Sequence, residues 1–248
     1  MKTTVIIPCY NEAERFQEEP FLSFCHQHPK IYLLFVNDGS KDGTRKLLTE
    51  LCSEMPESMA VKHLEKNSGK AEAVRQGLLE ALDTESNDCV GYWDADLATP
   101  LELIPQFVAE FEKNSKLEML MGARVKLLGR RIERRLGRHY LGRIFATVAS
   151  GVLNLPVYDT QCGAKILRAT PLLSEVLQKP FLSRWIFDVE LILRLLKGHP
   201  EKGNEETWIW EWPLSEWRDV SGSKVKSIDF FKALWDLCRI KFCYHGTS

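Results

Sequence analysis

The chain lacks several features that would place it in a special class of protein. It contains no Cys-x-x-Cys pair, which argues against a cysteine-based zinc site. Its seven cysteines are an odd number without paired spacing, so we expect free thiols in a reducing compartment rather than a disulfide framework. The formal net charge is −1, so no overall field recruits nucleic acid. The function therefore has to be sought in local motifs.

Long hydrophobic runs are also missing. The longest mostly apolar stretch, Ile144–Tyr158, is shorter than the roughly 20 residues that a membrane-spanning helix needs, and it contains Asn154 and Pro156. The N-terminus enters a strand-like run directly, without the pattern of a signal peptide. We therefore expect a cytoplasmic protein, which can still bind peripherally to the cytoplasmic face of a membrane.

Buried-strand patterns and helical patterns alternate through the first half of the chain. Strands are predicted at residues 3–8, 31–36, 60–64, 90–93 and 118–121. Helices are predicted from Glu12 onward with an interruption near Pro20, from 44 to 52, from 71 to 82, and from 100 to about 112. This alternation predicts βαβ units and a mostly parallel sheet, which is an α/β fold.

A basic segment begins after the fifth predicted strand. Its cations are Arg124, Lys126, Arg130, Arg131, Arg134, Arg135, Arg138 and Arg143. Four of them are spaced to share one helical face: Arg131, Arg134, Arg135 and Arg138. A solvated surface and a docking site for phosphate groups both explain such a face. The apolar stretch that follows, residues 141–155, is either core or a helix lying on an anionic lipid surface.

Two aspartates, Asp94 and Asp96, follow the fourth predicted strand. Side chains at i and i+2 of a strand share a face, so both carboxylates project from its carboxyl end. Ligands bind at that edge in open α/β sheets. Two carboxylates held together repel unless a cation lies between them, and oxygen ligands suit Mg²⁺ or Mn²⁺. A solvated turn is the alternative, but the place of the pair in the βαβ series favours a metal and diphosphate site.

Four co-linear motifs resemble those of family 2 glycosyltransferases with the GT-A fold. They are Val5–Glu12, Asn37–Thr44, Asn67–Lys70 and Asp94–Asp96. Three later motifs resemble the branch of dolichyl-phosphate β-glucosyltransferases and polyprenyl-phosphate mannosyltransferases: Asp159–Lys165, Arg184–Glu190 and Gly222–Lys224. The resemblance implies a GT-A, Rossmann-like, mostly parallel sheet flanked by helices, with a C-terminal helical extension on the acceptor side.

This family architecture divides the chain into a glycosyltransferase domain and a tail. We expect the domain to cover residues 1–225, with a nucleotide-sugar half at 1–122 and an acceptor half at 123–225. Residues 226–248 are predicted to form a C-terminal amphipathic helix, since apolar residues recur there with helical period.

The resemblance also implies roles for individual residues on the donor side. The pocket for nucleobase and ribose would be lined by Pro8, Tyr10, Glu12 and Asp38. Lys70 would lie in the adjacent loop. Asp96 would bind the cation, Mg²⁺ or Mn²⁺, together with Asp94, the first acid of the metal motif.

On the acceptor side, the resemblance places Gln161 and Lys165 near the sugar and the acceptor phosphate. Arg124 and Arg138 lie in the region that contacts phosphates in the lipid-phosphate branch. Asp188 matches the position at which hydroxyl-directed relatives hold a general base. Asp96, Asp188 and Arg138 are therefore the expected catalytic residues.

The implied reaction is inverting, metal-dependent transfer of a hexose from a nucleotide sugar to a polyprenyl or dolichyl lipid phosphate. Ala98 stands where mannosyl relatives often carry a glutamine ligand, which favours glucose and UDP-glucose. Asn37 replaces an acid that many relatives carry before Asp38. Two alternatives stay open: a family 2 enzyme that glycosylates a sugar hydroxyl in polysaccharide synthesis, with Asp188 as base, and a non-catalytic nucleotide-sugar-binding protein.

Overall fold

In the described part of the chain, seven strands form one mixed sheet, and two short strands form a second. The computed structural model describes residues 1–84, 86–133, 136–201, 203–219 and 227–245, with side chains except at 136–139, 227–231 and 245. The strands are β1 (Thr3–Cys9), β2 (Ile31–Asn37), β3 (Met59–His63), β4 (Cys89–Trp93), β5 (Met119–Ala123), β6 (Arg131–Glu133), β7 (Ala164–Arg168), β8 (Ile209–Pro213) and β9 (Glu216–Arg218).

The large sheet has the strand order β3-β2-β1-β4-β7-β5-β8, and β6 pairs with β9 in the small sheet. Strands β1 to β4 run parallel to one another, and β5 runs parallel to β8. Strand β7 lies antiparallel between β4 and β5, with Lys165 opposite Tyr92 and Ala164 opposite Trp93. The carboxyl ends of β1, β2 and β4 therefore meet at one edge of the sheet.

Helices cover both faces of the large sheet. They are α1 (Glu18–Gln27), α2 (Thr44–Glu54), α3 (Lys70–Asp83), α4 (Leu103–Lys113), α5 (Leu136–Leu153), α6 (Pro171–Leu177), α7 (Phe187–Gly198) and α8 (Ser227–His245). Side chains alternate between faces along β1, so Val5 and Ile7 belong to one core and Ile6 to the other. Leu237 and Ile240 attach α8 to the second of these cores. Within the described residues, none of the helices combines the length and hydrophobicity that a bilayer crossing requires.

The predicted parallel strands are confirmed, but the helix expected from Glu12 is wrong. Asn11 adopts a left-handed backbone conformation (φ 50°), and the chain closes a single turn in which the Phe16 N–H donates to the Glu12 carbonyl at 2.9 Å. The helix begins only at Glu18. Pro20 then lies in its first turn, where the missing N–H has no helical partner to lose.

The predicted helical face of arginines is also wrong in part. Arg131 lies on β6, so it does not share a helix with Arg138, which lies on α5. Arg134, Arg135 and the side chain of Arg138 fall outside the described residues, as does the motif Gly222–Lys224. The motif Asp159–Lys165 ends within β7, which begins at Ala164.

All seven cysteines are free thiols. Five are buried, and Cys238 and Cys243 lie exposed on α8. Burial raises the pKa of Cys25 and Cys162 to about 11 and that of Cys52 and Cys89 to about 12.

Candidate active site

Hydrogen bonds join the loops that follow β1 and β2. The Asn11 N–H donates to Ser40 Oγ at 2.9 Å, and the Lys41 N–H donates to Asn11 Oδ1 at 2.9 Å. The Thr44 hydroxyl oxygen accepts the Glu12 N–H at 2.8 Å. The first two sequence motifs therefore form one continuous wall at the sheet edge.

Asp38 connects this wall to the loop before α3. Its carboxylate accepts the N–H groups of Ser68 (2.7 Å) and Gly69 (2.8 Å) and the amide of Asn67 (2.9 Å). Burial raises the pKa of Asp38, although the two backbone N–H groups oppose that shift. Gly39 has φ +60°, and a Cβ there would lie 2.4 Å from the carbonyl carbon of Lys66, so this crossing of two loops requires glycine. Asp38 thus fixes the segment that leads into Lys70.

Arg184 brings a cation to the same loop from the other half of the chain. Its Nη2 donates to Asn67 Oδ1 at 2.5 Å, and its carbonyl accepts the Ala71 N–H at 3.2 Å. The positive charge of Arg184 also opposes the rise in the pKa of Asp38. The sequence motif that contains Arg184 was found, but the role of this side chain was missed because its partners lie more than a hundred positions earlier.

Lys70 and the two aspartates form a charged cluster at the carboxyl end of β4. Lys70 begins α3, and its Nζ lies 2.5 Å from Asp94 Oδ1. Burial opposes the charge of Lys70, but Asp94, Asp188 and Asp96 outweigh it and raise its pKa. Asp96 Oδ1 accepts the Ala98 N–H at 3.1 Å. The cluster therefore contains more negative than positive charge.

The donor set of this cluster fits a divalent cation. Burial raises the pKa of Asp96, and the charge of Asp94 raises it further. A cation between the two carboxylates would compensate for the burial of ionised Asp96 and for its repulsion by Asp94. Among the described residues no group of three or more His, Cys, Asp or Glu side chains could hold a metal by itself. Two carboxylates suffice for Mg²⁺ or Mn²⁺, because such ions commonly complete their shell with substrate phosphates and water.

Arg15 and Glu12 border the cluster on the β1 side. Arg15 Nη2 lies 2.6 Å from Glu12 Oε1, and Glu12 is buried. The hydrogen bond with Glu12 raises the pKa of Arg15, and the charge of Asp96 contributes to the same shift. The family resemblance implies a role for Glu12 but gives none for Arg15, which follows it by three positions in the turn that replaces the predicted helix.

Gly163 sets the position of Asp94. The Asp94 N–H donates to the Gly163 carbonyl at 3.0 Å. A Cβ at Gly163 would lie 1.9 Å from Asp94 Oδ2, which is closer than any two such atoms can approach. The antiparallel strand β7 therefore brings the motif Asp159–Lys165 into direct contact with the motif Asp94–Asp96.

Gly163→Ala is expected to weaken the binding of UDP with Mn²⁺ while the protein still folds, because the new methyl group must displace the Asp94 carboxylate. Isothermal titration with UDP and Mn²⁺ measures the loss, which we expect to be at least about tenfold for a misplaced ligand. Gly151→Ala is the matched control. It lies exposed on α5 with nothing within 4 Å of its added Cβ, so we expect unchanged binding and slightly higher stability. Equal donor affinity for Gly163→Ala and Gly151→Ala would contradict this placement of Asp94.

Lys165, Asp188 and Tyr92 form a buried polar group under the site. The Lys165 ammonium lies 2.6 Å from Asp188 Oδ1 and 2.6 Å from the carbonyl oxygen of Cys162. The Tyr92 hydroxyl donates to the same Asp188 oxygen, and the Gln161 amide lies 3.4 Å from the other. Burial and the charge of Asp188 raise the pKa of Tyr92 well above its ordinary value. Tyr92 was not selected from the sequence, where it reads only as an apolar strand residue.

Arg124 is bound to Asp159 within the chain. Its Nε and Nη2 lie 2.6 and 2.8 Å from the two carboxylate oxygens, in a bidentate pair. Burial opposes the charge of Arg124, but Asp159 outweighs it and raises the pKa. Glu211 accepts the Tyr158 and Asp159 N–H groups, each at 2.8 Å to one of its oxygens, and holds the turn that carries Asp159. Arg124 thus lies beside the acceptor-half motif with its guanidinium already engaged.

The structure brings most of the predicted residues to one edge of the sheet. The contacts above join Glu12, Asp38, Lys70, Asp94, Asp96, Gln161, Lys165 and Asp188, directly or through one neighbour. Pro8 lies on β1 opposite Val36, and Tyr10 follows at the end of that strand. The side chain of Arg138 lies outside the described residues.

Comparisons with known proteins agree with this architecture. The profile of Glycosyl transferase family 2 matches residues 4–172. A dolichyl-phosphate beta-glucosyltransferase of Dictyostelium discoideum is 29% identical over 264 residues, covering 97% of this chain and 74% of the relative. One from Trichomonas vaginalis is 28% identical over 256 residues, covering 96% and 72%. An undecaprenyl-phosphate 4-deoxy-4-formamido-L-arabinose transferase of Proteus mirabilis is 35% identical over 115 residues, covering 45% of this chain and 34% of the relative.

Solved structures show the same fold at low sequence identity. Glucosyl-3-phosphoglycerate synthase from Mycobacterium tuberculosis, crystallised with Mn²⁺, UDP and glucosyl-3-phosphoglycerate, aligns with a TM-score of 0.64 at 17% identity, covering 100% of this chain and 81% of that one. Mannosyl-3-phosphoglycerate synthase from Rubrobacter xylanophilus aligns with a TM-score of 0.66 at 16% identity, covering 97% and 73%. With its GT-A fold and a profile match over more than half of its length, this chain belongs to glycosyltransferase family 2.

Proposed function

We propose that this glycosyltransferase transfers glucose from UDP-glucose, with inversion, to a polyprenyl or dolichyl lipid phosphate. Two relatives that match nearly the whole chain are named for transfer to dolichyl phosphate, which supports this acceptor class. The observation that carries the proposal is the environment of Asp188.

A sugar hydroxyl acceptor needs a general base within reach of its proton. Asp188 is the residue that the resemblance offers for this role, but it is buried, and one of its oxygens already accepts from Lys165 and Tyr92. A carboxylate oxygen that already accepts two hydrogen bonds has no free lone pair for the proton of an acceptor hydroxyl. A lipid monophosphate needs no base, since its second ionisation occurs near about pH 6. The arrangement therefore favours a phosphate nucleophile, with Asp188 holding Lys165 in place.

On the donor side, Asp96 and Asp94 would hold Mg²⁺ or Mn²⁺. When bound, the cation supplies Lewis-acid stabilisation of the charge that develops on the departing diphosphate. Lys70 and Arg184 bring two further cationic groups to the same loop. The preference for glucose rests on Ala98, which orients Asp96 through its backbone N–H but has no side-chain ligand to offer.

The acceptor implies contact with a membrane surface. Helix α5 exposes the apolar side chains of Tyr140, Leu141, Ile144 and Val148, and the preceding loop exposes Leu127 and Leu128. We propose that the prenyl chain of the acceptor lies along this surface. In sequence this surface overlaps the basic segment, so the phosphate and the hydrocarbon chain of the acceptor would meet neighbouring cations and apolar groups.

The test offers UDP-glucose, UDP-N-acetylglucosamine and GDP-mannose with a short polyprenyl phosphate in detergent, and analyses the lipids by mass spectrometry. We expect glucosyl lipid from UDP-glucose only in the presence of Mg²⁺ or Mn²⁺, and none with EDTA. Transfer to an oligosaccharide hydroxyl but not to lipid phosphate would overturn the proposed acceptor. Metal-dependent UDP binding without turnover of any donor would instead support a non-catalytic binding protein.

A further inference from the structure

Helix α8 is fixed to the domain along one side. Leu237 and Ile240 are fully buried against the core. Asp236 Oδ2 accepts the Ser183 hydroxyl at 2.6 Å, and the Tyr244 hydroxyl lies 2.8 Å from Arg194 Nε. The helix therefore has a defined orientation, and its opposite side faces solvent.

The solvent side carries two of the most exposed aromatic residues in the described part of the chain. Trp235 is 72% exposed and Phe242 is 80% exposed. Seven residues correspond to about two helical turns, so both side chains lie on one stripe. Packing among the described residues does not account for this exposure, because the buried residues of α8 lie on the other side of the helix.

Cations accompany the aromatic stripe. Arg239 is exposed on the same side of α8, one turn after Trp235, and Lys232 is exposed there one turn before Trp235. The acid on this part of the helix, Asp236, is bound to Ser183. A stripe of aromatic residues with flanking cations is complementary to the interface of an anionic bilayer, where indole and phenyl rings enter the headgroup region and cations meet lipid phosphates.

We propose that the α8 stripe, defined by Trp235, Arg239 and Phe242, is a docking surface for an anionic lipid bilayer. This inference rests on the proposed function in that the acceptor lipid resides in such a bilayer. The docked helix would lie beside the loop Asn67–Lys70, since Asp236 binds Ser183 and the next residue, Arg184, binds Asn67. Docking would therefore bring the active site to the surface that supplies its acceptor.

The test is flotation of the full chain with vesicles of phosphatidylcholine alone or with phosphatidylserine added. The double variant Trp235→Ser/Phe242→Ser is expected to bind anionic vesicles at least about tenfold more weakly, because bilayer affinity scales with inserted apolar area. Arg239→Gln is expected to weaken binding roughly fivefold on anionic vesicles only. Lys46→Gln, an 81% exposed lysine on α2, is the charge-matched control and should bind as the parent chain does.

Two transfer assays distinguish failure of this docking surface from failure of the proposed reaction. The aromatic double variant should retain transfer to short polyprenyl phosphate in detergent and lose transfer to acceptor embedded in vesicles. Vesicle binding equal to that of the parent chain would overturn the docking surface even if glucosyl lipid forms. A change in sedimentation rather than in flotation would assign the stripe to a second copy of the chain and overturn the proposal. Stripe-dependent flotation without transfer to any lipid would leave the docking surface standing and reject the reaction.

Discussion

Asp96→Asn is expected to lower sugar transfer by about 10²–10³-fold, the loss that corresponds to several kcal/mol of metal-dependent stabilisation of the leaving group. Asparagine keeps the size of the side chain and can still accept the Ala98 N–H, so the change removes charge with little loss of packing. The same variant should lose the gain in UDP affinity that Mn²⁺ produces. Calorimetric titration with UDP, with and without Mn²⁺, measures that gain directly.

The thermal stability of Asp96→Asn should change in the opposite direction from its transfer activity. The folded-state pKa of Asp96 is raised, mainly by burial and then by Asp94. Because the folded chain binds this proton more tightly, protonated Asp96 stabilises the native state at pH values below its pKa in the unfolded chain. This stabilisation is lost as the pH rises through the raised pKa of the folded chain, so ionised Asp96 destabilises the native state. At neutral pH and without metal, Asp96→Asn should melt at the same temperature as the parent chain or higher. The parent chain should be stabilised by Mn²⁺, and the variant should not.

A surface aspartate provides the control for this pair of measurements. Asp83 lies exposed at the end of α3, and Asp83→Asn should leave transfer and the Mn²⁺-dependent shift in Tm unchanged. Unchanged Mn²⁺-dependent UDP affinity in Asp96→Asn would remove Asp96 from the metal site, whatever its effect on turnover.

The buried pair of Lys165 and Asp188 gives the second large effect. Lys165→Met leaves the Asp188 carboxylate buried without its cation, which typically costs about 3–5 kcal/mol of unfolding free energy. Urea denaturation measures this loss. Lys62→Met is the matched control, because Lys62 pairs with Glu80 at the surface and such pairs contribute at most about 1 kcal/mol. Similar losses of unfolding free energy for Lys165→Met and Lys62→Met would show that the buried pair stabilises the fold no more than a surface pair does.

Asp188→Asn separates the two acceptor classes. Loss of a general base lowers rate by about 10²–10⁴-fold. If Asp188 only positions Lys165, transfer to lipid phosphate should fall by less than about 10²-fold, and the pH–rate profile should keep its shape below neutral pH. A loss beyond that range, together with a new pH dependence, would restore Asp188 as the base and favour a hydroxyl acceptor.

Hydrophobic period and motif spacing in the sequence predicted the features that depend on residues close together in the chain. Buried strands of five to seven residues, the positions of Asp38 and Asp94 at strand ends, and the order of motifs were all accessible from period and spacing. The turn at Glu12 was not, because its geometry depends on hydrogen bonds to Ser40 and Thr44 in another loop. Strand β7 was missed in part because its polar first half resembles a turn until it is paired with β4.

The active-site contacts that remained hidden join distant positions. Tyr92 and Asp188 are 96 residues apart, and Arg184 and Asn67 are 117 residues apart. Nothing in the neighbourhood of Tyr92 indicates that its hydroxyl meets a carboxylate, since the residue lies in an apolar strand like any core aromatic. The resemblance aligned the motifs in their order along the chain and implied roles for their residues. Only the folded chain shows that the Asp188 carboxylate already accepts hydrogen bonds from Lys165 and Tyr92.

The distribution of thiols makes α8 chemically addressable without any substitution. Thiolate is the species that reacts with maleimides, and a thiol whose pKa is raised to about 11 or 12 by burial holds almost none of it at neutral pH. The two cysteines left in solvent, Cys238 and Cys243, both lie on α8. A fluorophore or spin label attached to the native chain therefore reports from this helix, and its polarity or mobility can follow α8 as vesicles are added.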